Sequence, residues 1–303
     1  LTVCEMAVGS AAFLNEAVNQ LAEAYLRRKQ QETGSTIPHD DYTRERQKVK
    51  MCLADNNVFG VDLNPTAVEL AEISLWLNTI YEGAFVPWFG LQLACGNSLI
   101  GARRELYPTY LLVKQRGAGG AKARWPDEAP KPRTKNEEPG TNERSEVYHW
   151  LLGDPGMAAY DDKVIKSLAK ARLDRIKLWK KDFVTPFETD DLPELVALTT
   201  AADTLFDRHL EATRKLRRET TDPIVVWGQP PREGDAAPRS TTHEKDKRWA
   251  AEIRHPYSPY SRLRLAMDYW CALWFWPIEK ADLLPTRQQF LTEIGLLLGH
   301  VPG

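Results

Sequence analysis

Apolar residues recur at helical spacing near the start of the chain: Phe13, Leu14, Ala17, Val18, Leu21, Ala22, Tyr25 and Leu26. The spacing predicts a helix capped by Ser10 and ending in the polar stretch 27–32. Residues 1–4 read as the end of a strand, 34–41 as a loop and 42–53 as a polar helix. A short apolar run at 58–61 predicts a buried strand ending before Asp62. Pro65 suits the first position of the next helix, which runs to about 81. That helix carries Val68, Leu70, Ala71, Ile73, Leu75, Trp76 and Leu77, apolar nearly all round, so it is expected buried. A third strand ends at Gly96. The first hundred residues therefore alternate β-α-β-α-β.

Further along, helices dominate. Residues 161–182 predict a helix with a basic face, and 192–219 a long helix ending in the basic run 214–218. Residues 261–276 form an aromatic, apolar helix stopped by Pro277, and 287–298 a last helix. Two stretches, 116–145 and 220–246, shift to Gly, Pro and charged residues and are expected as exposed, mobile insertions. The expected organisation is an α/β core at 1–115, a flexible insertion at 116–145, and a mostly helical region at 146–303 with a mobile loop at 220–246. No internal repeat is found.

Charge narrows the function classes. The net charge of −2 over 303 residues means that any nucleic-acid surface is a local patch. The four cysteines, Cys4, Cys52, Cys95 and Cys271, stand far apart without metal-site spacing, which argues against zinc and against a disulfide framework. There is no apolar run of membrane-spanning length and no signal peptide, so a cytoplasmic location is expected. The chain opens at Leu1 inside a strand, as a fragment of a longer protein would.

The chemistry gathers at the ends of the three early strands, where open α/β sheets bind ligands. The turn Ala7-Val8-Gly9-Ser10 brings bare backbone and a helix N-terminus to the first end. Asp62 stands at the second, where a carboxylate accepts hydrogen bonds from ribose hydroxyls. Asn97 stands after the third, where an amide bonds an adenine edge. Each has a plainer alternative: a tight turn, a helix cap at Asp62, a cap at Asn97-Ser98. The order of all three favours a nucleoside ligand, and the absence of G-x-G-x-x-G disfavours a dinucleotide.

These residues carry a resemblance. "CEMAVGSAAFLNEA" resembles the S-adenosyl-L-methionine (AdoMet) motif of N6-adenine DNA methyltransferases, usually D-P-A-C-G-S-G-x-F-L. "VFGVDLNPTAVELAEISLWL" and "GNSLIG" are similar to the second and third motifs. "VYHWLLGDPGMAAYDDK" and "DYWCALWFWP" look like the large methyltransferases of phage-defence systems, above all the DISARM class, with BREX and type IIG restriction-modification enzymes more distant. The resemblance implies a Rossmann-like AdoMet-dependent methyltransferase sheet with large helical insertions. It implies AdoMet as cofactor, held by Glu5, Ala7, Gly9, Ser10, Phe13, Asp62, Leu63 and Asn97. Glu5 takes the first acidic position, Phe13 lies near the methionine part, Asp62 on the ribose and Leu63 beside the adenine ring. Ala12 replaces a second glycine, and Asn97 stands where Asp is frequent. Double-stranded DNA and other defence-system proteins are the implied partners, with no membrane and no metal.

The family's target-base motif, N/D-P-P-Y/F/W, is not found. "GQPP" at 228–231 is followed by Arg232 in a polar segment and reads as a turn, and "GDP" at 153–155 lacks a second proline. In the relatives the motif follows the "WFWP" region, which places it beyond Gly303. No catalytic residue is therefore assigned. The expectation is the AdoMet-binding part of an adenine-specific DNA methyltransferase, inactive by itself. A non-catalytic AdoMet-binding scaffold subunit is the alternative, and a nucleotide-dependent dehydrogenase is disfavoured. The basic face at 161–182 is more often a solvated helix than a DNA contact. The cluster Tyr269, Trp270, Trp274, Phe275 and Trp276 reads as core rather than a base-stacking platform, and His149 and His209 have no metal-spaced partners.

Overall fold

The computed structural model describes residues 1–113, 124–133, 145–221, 224–230 and 240–300. It divides into two compact units. The first takes in residues 1–100 and 212–252, the second 101–211 and 253–303. This differs from the expected division, because residues 212–252 return to the first unit.

In the first unit, strands β1 (Val3–Glu5), β2 (Val58–Asp62) and β3 (Leu93–Cys95) form a parallel sheet in the order β1-β2-β3. The register sets Glu5 beside Gly60 and Asp62 beside Cys95, so the strands end nearly level. Helices α1 (Ala12–Thr33) and α2 (His39–Asn56) join β1 to β2, and α3 (Pro65–Thr79) joins β2 to β3. Val18, Leu14, Val58, Leu75 and Leu93 form the core beside the sheet. Full burial of side chains of this size stabilises by about 1.5–3 kcal/mol each. Asn15 of α1 donates to Ser74 Oγ of α3 at 2.7 Å, which ties the two crossover helices together.

Three expectations need correction here. Ser10 does not cap α1; Ala11 holds the cap position with φ of 64° and no side-chain hydrogen bond. The helix also runs through the polar stretch to Thr33. Second, α3 is not buried all round: Leu70 and Ile73 are 51% exposed and Leu77 63%. Only the arc of Val68, Ala71, Leu75 and Thr79 is buried, because periodicity records apolar positions but not how many sides have neighbours. Third, the insertion expected at 220–246 is partly packed. Val226 is buried in a cluster with Leu26 and Val49, and Tyr25 Oη donates to Trp227 O at 3.1 Å. Helix α7 (Thr242–Glu252) follows, with Lys245 and Trp249 buried. The mobility expected at 222–223 and 231–239 lies outside the described residues.

The second unit holds a sheet not foreseen from the pattern. Strands β4 (Glu105–Pro108), β5 (Lys131–Pro132) and β6 (Glu146–Tyr148) pair antiparallel in the order β5-β4-β6. Its helices are α4 (Lys163–Leu168), α5 (Lys170–Phe183), α8 (Pro259–Ala272) and α9 (Arg287–Leu298), with α6 (Leu192–Thr220) passing into the first unit from Ala212. The predicted helix at 161–182 is thus two helices broken at Ala169. Tyr148, Trp150, Leu195, Phe183 and Phe290 centre the core. Within the stretch 116–145, residues 116–123 and 134–144 lie outside the described residues. Trp125 between them is buried and donates to Gly153 O at 2.9 Å, so that part is packed rather than open loop. Trp270 is core, as its spacing predicts, whereas Phe275 is 64% exposed beyond the end of α8. No described helix is long and apolar enough to cross a membrane.

Candidate functional site

The carboxyl ends of β1, β2 and β3 carry the residues singled out by the sequence. After Glu5 the chain turns through 6–11 before α1. Gly9 has φ of 52° and Ala11 φ of 64°, two left-handed residues in three positions. Glycine takes that conformation freely, but alanine does so at about 1–2 kcal/mol. The second left-handed position is therefore Ala11. Ala12, expected to replace a second glycine, is simply the first residue of α1.

Three hydrogen bonds hold the turn. Val8 N–H donates to Val61 O at 2.9 Å, Ala11 N–H to Val8 O at 2.8 Å, and Gly9 N–H to Asp62 Oδ2 at 2.8 Å. Val8 is buried against β2 in a space that exists because residue 60 is glycine. A Cβ there would lie 2.7 Å from Val8 Cγ2 and 3.0 Å from Leu93 Cδ2. Gly60 is a site-shaping residue that sequence reasoning missed; its only signal was a glycine inside an apolar strand, which marks a close approach of backbone.

Asp62 is half-exposed, and both its oxygens are engaged from the protein side. Oδ1 accepts from Asn64 N–H at 2.9 Å while Oδ2 accepts from Gly9. The Asn64 N–H foremost, then those of Gly9 and Leu63, hold the carboxyl below the usual carboxylate range, so it is an anion at neutral pH. Each oxygen keeps a second lone pair for a ligand hydroxyl. The cap of α3 is not Asp62 but Asn64, whose side chain accepts from Thr66 N–H at 3.0 Å.

Burial raises the pKa of Glu5, an effect that the nearby Leu14 backbone N–H in the first turn of α1 partly offsets. Glu5 Oε2 is buried with no hydrogen-bond partner among the described residues. A buried carboxylate oxygen left so suits a cationic or hydrogen-bond-donating group. The third strand end joins the second: Gly96 N–H donates to Asp62 O at 2.9 Å. Asn97 Oδ1 accepts from Leu99 and Ile100 N–H at 2.9 and 3.1 Å. That leaves its NH₂ as the group free to meet a ligand, a donor where an aspartate would offer an acceptor.

Gly9, Asp62, Glu5 and Asn97 are thus brought to one end of the sheet. Ala7, Ser10, Phe13 and Leu63 are exposed there, Phe13 by 78% and Leu63 by 69%, as is Leu99. Anionic, donor and apolar groups stand together over open backbone, an arrangement suited to a molecule with a cationic tail, a sugar and a flat ring.

Elsewhere, "GDP" at 153–155 is an internal turn: Asp154 Oδ1 accepts from Gly156 N–H at 2.6 Å, and a Cβ on Gly153 would meet Phe183. Gly228 has φ of 77° in a turn, and Pro231 of "GQPP" and the following Arg232 lie outside the described residues. His149 is held by packing: its Nε2 accepts from Arg103 N–H at 2.9 Å, and burial lowers its pKa. Among the described residues no group of three His, Cys, Asp or Glu could hold a metal ion.

The chain is 30% identical to a protein of Methanocaldococcus jannaschii provisionally named as a type II restriction enzyme and methyltransferase. The alignment is 115 positions long and takes in 33% of this chain and 9% of that protein. The chain therefore spans about a tenth of the length of this relative. No family profile matches the chain. No solved structure matches it.

Proposed function

We propose that residues 1–100 are the AdoMet-binding part of a Rossmann-like DNA methyltransferase that acts on adenine N6. The observation that carries this reading is the pairing of Gly9 and Asp62 through a 2.8 Å hydrogen bond, with Asn97 at the neighbouring strand end. The similarity to a named restriction enzyme and methyltransferase supports the same class. In this reading Asp62 accepts from the ribose hydroxyls and Leu63 and the Asn97 NH₂ meet the adenine. The unpartnered oxygen of Glu5 faces the ammonium of the methionine part, and Phe13 covers its aliphatic portion. AdoMet supplies an electrophilic methyl group on a sulfonium centre. The groups of this site bind and orient; none withdraws a proton from the target amine. The methylated substrate would be duplex DNA with the adenine extruded, in a phage-defence system of the DISARM type.

Calorimetry with S-adenosylhomocysteine and NAD tests the reading. S-adenosylhomocysteine is expected to bind and NAD not to; equal binding of the two would sink it. A second reading, an AdoMet-binding scaffold subunit without catalysis, is favoured by one observation: residues 1–303 contain no N/D-P-P-Y/F/W motif. Methyl transfer by a complex that includes this chain and tolerates Asp62→Ala would favour the scaffold.

A further inference from the structure

We propose that α5, with α4 before it, is a docking surface for the phosphate backbone of duplex DNA. The charge pattern is independent of the donor site; that the polyanion is duplex DNA rests on the reading above. Residues 161–182 hold eight lysines and arginines against four aspartates, while the chain as a whole carries −2. A surplus of four positive charges thus sits on this short segment.

What marks this segment is that most of its cations stay unpaired, although Asp162 and Asp174 stand four residues from Lys166 and Lys170. Solvated helices place acids four residues from bases. Here Lys166–Asp161 and Lys177–Asp174 are the ion pairs, both long at 3.5 Å. Among the described residues Lys163, Lys170, Arg172, Arg175 and Lys181 have no ion pair, and all five are exposed.

Packing fixes how these charges are presented. Leu173, Ile176 and Phe183 are buried and set the inward side of α5. At 100° per residue, Lys170, Lys177 and Lys181 then fall in a row along one flank, and Arg172 and Arg175 lie along the other. Between the rows stand Ala171, the exposed Leu178 and two exposed aspartates, Asp174 and Asp182. A helix of about 10–12 Å diameter with cations on both flanks matches the width of the major groove, about 12 Å. Each flank then meets the phosphates of one strand, which positions the duplex without reading its sequence.

The test is the salt dependence of binding by the full chain to a fluorescent duplex of unrelated sequence. Three proteins are compared: the wild type, a Lys170→Gln/Arg175→Gln/Lys181→Gln variant, and an Arg214→Gln/Lys215→Gln/Arg218→Gln variant that removes equal charge from α6. Removing three phosphate contacts is expected to flatten the plot of log affinity against log salt by about 3, and the α6 variant by less than one. Equal melting temperatures confirm that the variants fold. Three outcomes would overturn the proposal: no duplex binding by the wild type, equal slopes for the two variants, or tighter binding to phosphatidylserine vesicles than to duplex. S-adenosylhomocysteine calorimetry on the same proteins keeps the two readings apart. Donor binding without duplex binding defeats this surface alone. Duplex binding lost only in the α5 variant, with no donor binding, upholds the surface and defeats the donor reading.

Discussion

Gly9 donates its backbone N–H to Asp62 Oδ2 at 2.8 Å across 53 residues of chain. One carboxylate therefore holds the first turn in shape and offers its remaining lone pairs to a ligand. Asp62→Ala should weaken S-adenosylhomocysteine by about ten- to a hundredfold, the range for leaving polar partners unpaired. Asp62→Asn keeps one acceptor and should fall between. Calorimetry decides, and unchanged affinity in both variants would remove Asp62 from the site. Because the folded carboxyl lies below its usual range, its stabilising contribution is present above about pH 4 and fades as pH falls through the folded value.

Glu5 has the opposite sign. Burial raises its folded pKa, so the folded state holds its proton more tightly than the unfolded chain does. Its contribution is neutral below the unfolded carboxyl range, about pH 4.3, and becomes unfavourable as pH rises through the raised folded value. Glu5→Gln keeps the shape of the side chain and removes the charge. It should raise the melting temperature at pH 7 and flatten its pH dependence, yet weaken a ligand that carries an ammonium. A lower melting temperature with unchanged binding would contradict both halves.

Gly60 and Val8 should behave as one unit. Gly60→Ala puts a methyl 2.7 Å from Val8 Cγ2 and should destabilise by about 1–3 kcal/mol, as overpacking does. Adding Val8→Ala opens that space, so the double variant should lose less than the sum of the single ones. Denaturant unfolding of the four proteins measures the coupling, and strict additivity would mean the turn does not rest on β2.

Asn97 offers a donor, because its carbonyl is already committed to Leu99 and Ile100. It should therefore favour an adenine ring, whose N1 accepts, over hypoxanthine, whose N1 donates. S-adenosylhomocysteine should bind more tightly than its deaminated inosyl analogue, by about tenfold for one mismatched buried pair. Asn97→Asp should shrink or reverse that preference. Indifference of both proteins to the base would place Asn97 away from the ring.

Residues 1–303 by themselves should transfer no labelled methyl group from AdoMet to unmethylated DNA. The donor-binding features are here, but no residues have been found that hold the target amine in line, and such positioning accounts for ~7–11 kcal/mol of a barrier. Measurable turnover would mean that an unrecognised stretch grips the base.

The sequence made some of this legible and concealed the rest for physical reasons. Asn64-Pro65 marked the start of α3 because proline suits the first helical position, and 287–298 was readable from its spacing alone. Asp62 was readable because a carboxylate closing an apolar strand is conspicuous. Ala11 gave no sign, since nothing in an alanine announces a left-handed backbone that the surrounding contacts impose. The packing of 224–229 was hidden too: Ile224, Val226 and Trp227 are too few for a period, and their partner Tyr25 lies 202 residues before Trp227. Strands of two to four residues, such as β5 and β4, are too short to show an alternation.

The wedge of Val8 into the space above Gly60 also bears on the entropy of association. Val8 and Gly9 sit in a surface turn, yet both amide hydrogens are tied to β2. Freezing a residue opposes a process by about 1–2 kcal/mol, and here that loss falls on folding rather than on ligand capture. A ligand meeting this turn finds its backbone already set, so little ordering is left to oppose binding. In amide hydrogen exchange, Val8 and Gly9 should be protected like strand residues in the empty protein, and a ligand should slow them little further.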